Sequence, residues 1–153
     1  KLQFNPAKFN LKMFCNNLVE ETSMIATSQH SIEFDYRVKE EIVKADEKLL
    51  RLMLINFLSN AVKYSPDGGK IIFEVEEEKK QIKFRVKDEG IGISEKDLEK
   101  AFEPFHRAAN VSQIKGTGLG LNIAKLAAEL HGGYVNIESQ YLSLFQPEWW
   151  KLK

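Results

Sequence analysis

A single cysteine, Cys15, is all the thiol the chain carries. That excludes an internal disulfide and fits a reducing compartment, the cytoplasm. Flanked by Phe14 and Asn16 in a helical stretch, it reads as a small packing residue rather than a nucleophile. Net charge is also missing. The 22 basic residues match 22 acidic ones, which argues against a general binder of nucleic acid or of a membrane surface. No run approaches the roughly 18 apolar residues of a membrane span. No signal-peptide pattern opens the chain, which starts on KLQFNP as an excised domain would. Linkers, repeats and low-complexity tracts are absent too. What is there is the composition of one globular domain, 153 residues at 43% hydrophobic and 29% charged, enough for a real core.

Periodicity divides the chain into helices and strands. Residues 2–9 read as a short edge strand broken by Pro6. Residues 10–28 read as a helix capped by Asn10, with Leu11, Phe14, Cys15, Leu18, Val19 and Ile25 on one face. Ser31–Val38 alternates as a strand, and Glu41–Lys44 is a second, shorter one. Asp46 caps a long helix that runs to Tyr64. Pro66-Asp67-Gly68-Gly69 is a turn, after which Lys70–Glu76 and Gln81–Lys87 form an antiparallel hairpin. Ser94 caps a short helix to Ala101, residues 102–115 are a loop, and Thr117–Leu130 is helical. His131-Gly132-Gly133 stops that helix before a last strand, Tyr134–Ser139. Three main helices and a mostly antiparallel sheet make an α+β layer arrangement.

Three segments carry residues that packing does not call for. In the long helix, Asn56, Asn60 and Lys63 break an apolar pattern at spacings of four and three, so they share one stripe. Asparagine is a mediocre helix former, and a solvated face more often carries Glu, Lys, Gln or Arg. Two amides and an ammonium in line suit a phosphate with its metal, the alternative being an ordinary wet face. At the end of a strand, Asp88 precedes Gly90 and Gly92, where a carboxylate can accept from a ligand amine and glycine permits close approach. A simple strand-to-helix turn also likes Asp and Gly. Lys115-Gly116-Thr117-Gly118-Leu119-Gly120-Leu121 opens a helix, and free amides at such an end bind phosphate. Its spacing fits neither the dinucleotide fingerprint nor the P-loop. A glycine-rich hinge is the plain alternative.

Taken in order, these segments resemble the catalytic and ATP-binding domain of sensor histidine kinases. The domain has the Bergerat fold shared with gyrase, the heat-shock chaperone of ninety kilodaltons and mismatch-repair ATPases. Asn56–Ser65, NFLSNAVKYS, is similar to the N box. DEGIGI from Asp88 to Ile93 resembles the first glycine box, FEPF from Phe102 to Phe105 the F box, and GTGLGL from Gly116 to Leu121 the second glycine box. His131-Gly132-Gly133 is the usual kinase ending of the following helix. The match runs from about residue 3 to residue 139. The fold it implies is a two-layer α/β sandwich, with a mixed, mostly antiparallel sheet covered on one face by three helices.

The resemblance implies ATP and Mg²⁺, and it assigns roles. Asn60 would give its side-chain oxygen to the metal, with Asn56 near the metal's water shell. Lys63 would neutralise phosphate charge and Tyr64 would contact the phosphates. Asp88 would read the adenine amino group, with Gly90, Gly92 and Ile93 around the base. Phe102 and Phe105 would flank a lid reaching to Lys115. Arg107 in that lid matches a position that can reach the terminal phosphate, its alternative being a solvated loop residue. Gly116, Thr117, Gly118, Leu119, Gly120 and Leu121 would wrap the phosphates. Asn56, Lys63 and Arg107 form the implied catalytic set.

One position separates transfer from hydrolysis. In the ATP-hydrolysing relatives, a glutamate one turn before the metal-binding Asn acts as general base toward water, and here that position is Asn56. An amide cannot take the proton, whereas neutral imidazole needs no base of that kind. The resemblance therefore implies transfer of the γ-phosphoryl group to a histidine, in two-component signalling. The acceptor would lie on a separate helical dimerisation domain, with a response regulator downstream and no nucleic-acid or direct membrane contact. His30, His106 and His131 do not match the acceptor setting. The chain also departs from the family after Ser139, where QYLSLFQPEWWKLK lacks the usual glycines. The expected organisation is a catalytic domain over 1–139 and an atypical tail, divergent, truncated or foreign, over 140–153. That tail motivates a rival, a nucleotide-binding regulatory module that transfers nothing. An ATP hydrolase is the third reading.

Overall fold

The computed structural model describes residues 3–79, 81–90, 120–138 and 141–146 of the chain. Two sheets and three helices are found among them. β1 (Ala7–Asn10) begins one residue after Pro6 and pairs antiparallel with β3 (Ile42–Ala45). The larger sheet has five strands, β2 (His30–Arg37), β4 (Gly69–Glu78), β5 (Gln81–Asp88), β6 (Tyr134–Glu138) and β7 (Tyr141–Gln146), in the order β2-β4-β5-β7-β6. Only β2 and β4 run parallel, so the sheet is mixed and mostly antiparallel. The helices are α1 (Leu11–Ile25), α2 (Glu47–Lys63) and α3 (Gly120–Leu130). Each of them packs against the sheet, α1 on β2, α2 on β4 and β5, and α3 on β6 and β7. No helix among the described residues is long and apolar enough to cross a membrane.

The layers follow from the two periodicities. In β4, Ile71, Phe73 and Val75 are buried, and in β5 Ile82, Phe84 and Val86 are, so every second residue faces the helices. Helix α2 answers with Leu50, Met53, Leu54, Phe57, Leu58 and Ala61, an apolar face at spacings of three and four. Buried Ala124, Ala127 and Ala128 let α3 lie close against α2. The sheet's other face is a ladder of opposite charges. Arg37 bridges Asp35, Glu74 and Glu76, and Arg85 meets Glu74 across the strands at 3.4 Å. Cys15 is fully buried and burial pushes its thiol far up, as a packing residue requires.

The N-caps expected at Asn10 and Asp46 form. The Asn10 side chain accepts from Met13 N–H at 2.9 Å, and Asp46 accepts from Leu49 N–H at 3.1 Å. Helix α1 ends at Ile25, three residues short of the expected range, where Ala26 turns extended. The helix expected over Ser94–Ala101, the loop over 102–115 and the first residues of the helix expected from Thr117 lie outside the described residues.

The segment after Ser139 holds a finding that composition does not signal. Tyr141–Gln146 is β7, paired with β5 on one side and β6 on the other. Leu142 and Leu144 stand opposite Val86 and Phe84 in the register, and opposite Ile137 and Val135 on the far side. A strand with neighbours on both sides has backbone groups of both edges paired. The sheet therefore runs past the boundary drawn after Ser139. Residues 147–153, with both tryptophans, lie outside the described residues.

Candidate nucleotide site

The inward row of β5 ends on a charge. Asp88 continues Ile82, Phe84 and Val86 at a spacing of two and sits opposite Ile71, so alternation carries a carboxylate to the helix-facing side. Burial pushes the Asp88 carboxyl above its ordinary range, and a hydrogen bond from the Gly90 N–H at 2.8 Å pulls it partly back. Glu89, the next residue, accepts from Lys70 N–H at 2.7 Å and ties the segment to the start of β4.

Gly90 brings this strand end against the end of α2. A Cβ at that position would overlap the Tyr64 carbonyl, stand 2.6 Å from Ser65 Oγ and 2.8 Å from Asp88 Oδ1. Only glycine permits that approach. The same junction is tightened from the far side by the turn after α2. Gly69 N–H donates to the Gln29 carbonyl at 3.0 Å, and Gly68, at φ +90°, packs so closely on Gln29 that a side chain there would collide with it.

Along α2 the expected polar stripe is present. Asn56, Asn60 and Tyr64 are half-buried and Lys63 is exposed. Asn56 Nδ2 donates to the Leu52 carbonyl at 2.9 Å, one turn back on its own helix. The Asn60 side chain makes no hydrogen bond, and Lys63 no ion pair, among the described residues. Tyr64 ends the helix, its N–H donating to the Asn60 carbonyl at 2.8 Å. Asn56, Asn60, Lys63 and Tyr64 thus share one element, and Gly90 sets Asp88 beside its last turn. Gly120 and Leu121 open α3, which packs on α2. Gly92, Ile93, Phe102, Phe105, Arg107, Gly116, Thr117, Gly118 and Leu119 lie outside the described residues.

Sequence reasoning gave Ser65 no role. It is only 2% exposed, yet its Oγ has no hydrogen-bond partner among the described residues. The signal available was a serine directly after the polar stripe and before the turn, which capping and turn chemistry explain equally well. Two of the three histidines are accounted for by hydrogen bonds. His30 Nε2–H donates to the Ser65 carbonyl at 2.8 Å, while His131, fully buried, donates through Nδ1 to the Ala127 carbonyl and accepts from Asp46 N–H.

A half-buried carboxylate, an amide with no hydrogen bond among the described residues and an exposed ammonium thus stand on the two elements that meet at Gly90, offering an acceptor, a neutral oxygen and a positive charge. Residues 45–146 match the family described as histidine kinase-, DNA gyrase B-, and HSP90-like ATPase. The chain is 38% identical over 143 residues to the sensor histidine kinase WalK of Bacillus subtilis, covering 90% of this chain and 23% of WalK. It is 37% identical over 125 residues to the circadian input-output histidine kinase CikA of Synechococcus elongatus, covering 80% of this chain and 17% of CikA. It therefore spans less than a quarter of either relative's length. Among solved structures, the catalytic domain of histidine kinase ThkA superposes with a TM-score of 0.76 at 27% identity, covering 94% of this chain and 98% of that one. Full-length ShkA, in complex with AMPPNP, does so with a TM-score of 0.77 at 25% identity, covering 99% of this chain and 32% of that one. The fold and these similarities converge, and the chain belongs to the histidine kinase-, DNA gyrase B- and HSP90-like ATPase family, among its histidine kinase catalytic domains.

Proposed function

We propose that the chain binds ATP with Mg²⁺ and transfers the γ-phosphoryl group to a histidine on a separate helical dimerisation domain. A response regulator would take the phosphoryl group onward in the cytoplasm. The observation that carries this reading is the junction of α2 with β5, where the Asn60 side chain makes no hydrogen bond and Lys63 no ion pair among the described residues, and half-buried Asp88 accepts only from Gly90 N–H. ATP is a substrate here rather than a cofactor.

Each group has a task its chemistry suits. Asp88 accepts from the exocyclic amine of adenine, a charge-assisted hydrogen bond. Lys63 places a positive charge by the phosphates. Asn60 offers a neutral oxygen, and Mg²⁺ is commonly held by few protein oxygens together with phosphates and waters. When bound, the metal neutralises charge on the phosphate oxygens. The neutral acceptor imidazole attacks the γ-phosphorus with a nitrogen lone pair. A phosphorus–nitrogen bond forms, the bond to the bridging oxygen breaks, and ADP leaves with its electron pair while the ring sheds its other proton. Asn56 cannot take a proton from water, and its Nδ2 is already bonded to Leu52, which favours transfer over hydrolysis. His30 and His131 are both engaged within the fold, which favours an acceptor on another domain.

Calorimetric titration with ATP, with and without Mg²⁺, tests the site. Asp88→Asn should weaken binding by about 10- to 100-fold, the value of a desolvated hydrogen bond to a charge. Unchanged affinity in that variant would sink the assigned pocket. Labelled phosphate from ATP should then appear on a purified acceptor domain. Turnover that needs no acceptor would favour a hydrolase, and binding without transfer the regulatory module.

A further inference from the structure

Ser65 is held in place without its hydroxyl. Its N–H donates to the Val62 carbonyl at 3.2 Å, and its own carbonyl accepts from Gly68 N–H at 3.0 Å. The same carbonyl accepts from His30 Nε2–H at 2.8 Å. Thr27 N–H donates to His30 Nδ1 at 3.0 Å, so the hydrogen of the neutral ring is on Nε2 and the bond to Ser65 is defined. Every bond to Ser65 uses its backbone. Alanine would keep every one of them and would pack more favourably, because a buried hydroxyl without a partner opposes folding. The hydroxyl nevertheless sits at the junction of α2 with β5, beside Gly90. Ser65 Oγ and Asp88 Oδ1 lie 2.6 and 2.8 Å from one point, the place a side chain on Gly90 would fill.

We propose that Ser65 is a base-reading residue, its hydroxyl donating to ring nitrogen N1 of adenine, directly or across one water, beside the amine that Asp88 accepts. This inference rests on the nucleotide reading above and extends it. The two groups match one edge of the base. Adenine shows a donor, its exocyclic amine, next to an acceptor, N1. A carboxylate is acceptor-only and a hydroxyl can donate, so the pair is complementary to that order. Guanine and hypoxanthine present the reverse, a carbonyl oxygen beside an N–H. The hydroxyl can turn to accept, but the ionised carboxylate cannot turn to donate, and two acceptors face each other. Asp88 thus carries most of the rejection of oxo-purines, and Ser65 adds affinity for the correct base.

The test is a cycle between a side chain and a ring atom. ADP and 1-deaza-ADP, in which N1 is replaced by carbon, are titrated calorimetrically into the wild type and Ser65→Ala. The variant should bind ADP about 3- to 10-fold more weakly, the size of one net hydrogen bond. Both proteins should bind 1-deaza-ADP within about twofold of each other, because the atom Ser65 reads is gone. The thermal midpoint of ligand-free Ser65→Ala should equal or exceed that of the wild type. Equal losses on both nucleotides, or no loss on ADP, would overturn the role of Ser65 while Asp88→Asn still weakened ADP. Wild-type ADP affinity in Asp88→Asn would instead remove the nucleotide reading and this inference with it.

Discussion

The two ends of α2 both carry polar groups into the core, and they treat them in opposite ways. At the N-terminal end, Asp46 is 5% exposed and His131 fully buried, and their hydrogen-bonding groups are engaged. One Asp46 oxygen accepts from Leu49 N–H, the other from Asn5 N–H at 2.8 Å, and its own N–H donates to His131 Nε2 at 3.1 Å. His131 donates onward to Ala127, and Phe4 meets its ring edge-on at 4.9 Å. At the C-terminal end, Ser65 Oγ and the Asn60 amide make no hydrogen bond among the described residues, and burial raises the Asp88 carboxyl. The 17 residues of the helix put about 25 Å between these ends. Buried polar groups that complete one another hold a fold together. Polar groups left incomplete, such as these, are where the proposed ligand would supply partners.

Three experiments can break or sharpen that contrast. The largest effect is expected from Asp46→Ala, which removes a helix cap and leaves Asn5 N–H without its acceptor. It should cost about 2–3 kcal/mol of stability in urea unfolding. ATP affinity of the folded variant should stay within about twofold of wild type, because the lesion is at the other end. A loss of binding as large as the loss of stability would show that the two ends are not independent.

The next effect is on pH. Burial holds the His131 pKa below its ordinary 6.5, opposed by the Ala127 carbonyl and the Asp46 carboxylate. The folded state therefore binds fewer protons than the unfolded chain between those two pKa values. His131 contributes its full stability above about pH 6.5 and loses it as the pH falls through the folded pKa. His131→Leu should be less stable at pH 7 by about 1–3 kcal/mol, since Asp46 N–H loses its acceptor. Its stability should also fall less steeply than wild type between pH 7 and 5. Parallel curves for the two proteins would dismiss the assigned linkage.

The smallest effect belongs to Asn60→Ala. Removing a side chain that makes no hydrogen bond, from a half-buried helical position, should change stability by no more than about 0.5 kcal/mol. It should at the same time abolish the part of ATP affinity that depends on Mg²⁺. A destabilisation above about 2 kcal/mol would move Asn60 from the ligand-facing group to the structural one.

Much of this was legible along the chain. Asn10 and Asp46 announce two helix starts because a cap is a local bond, spanning three residues. The hairpin from Gly69 to Asp88 shows in its alternation. The family boxes pointed to Asn56, Asn60, Lys63, Tyr64, Asp88 and Gly90, and the fold sets Gly90 and Asp88 against the end of the helix that carries the other four. Harder to read were the partners distant in sequence. Parallel pairing of β2 with β4 depends on a return through α2, and nothing in either strand names the other. The insertion of β7 between β5 and β6 is of the same kind. Leu142 and Leu144 alternate as strand residues do, but a six-residue strand does not state which edge it joins.

By itself, then, the sequence determined the local elements, their caps and the chemical inventory of the site, because these depend on neighbours within one or two turns. The tertiary structure alone decided which polar groups are satisfied. Asp46 and His131 stand 85 residues apart, yet each completes the other. Ser65 and Asp88 are brought together by the missing side chain of Gly90 and remain incomplete. Satisfaction is a property of three-dimensional neighbours, and among the described residues it separates the polar groups that complete one another from those proposed to meet a ligand.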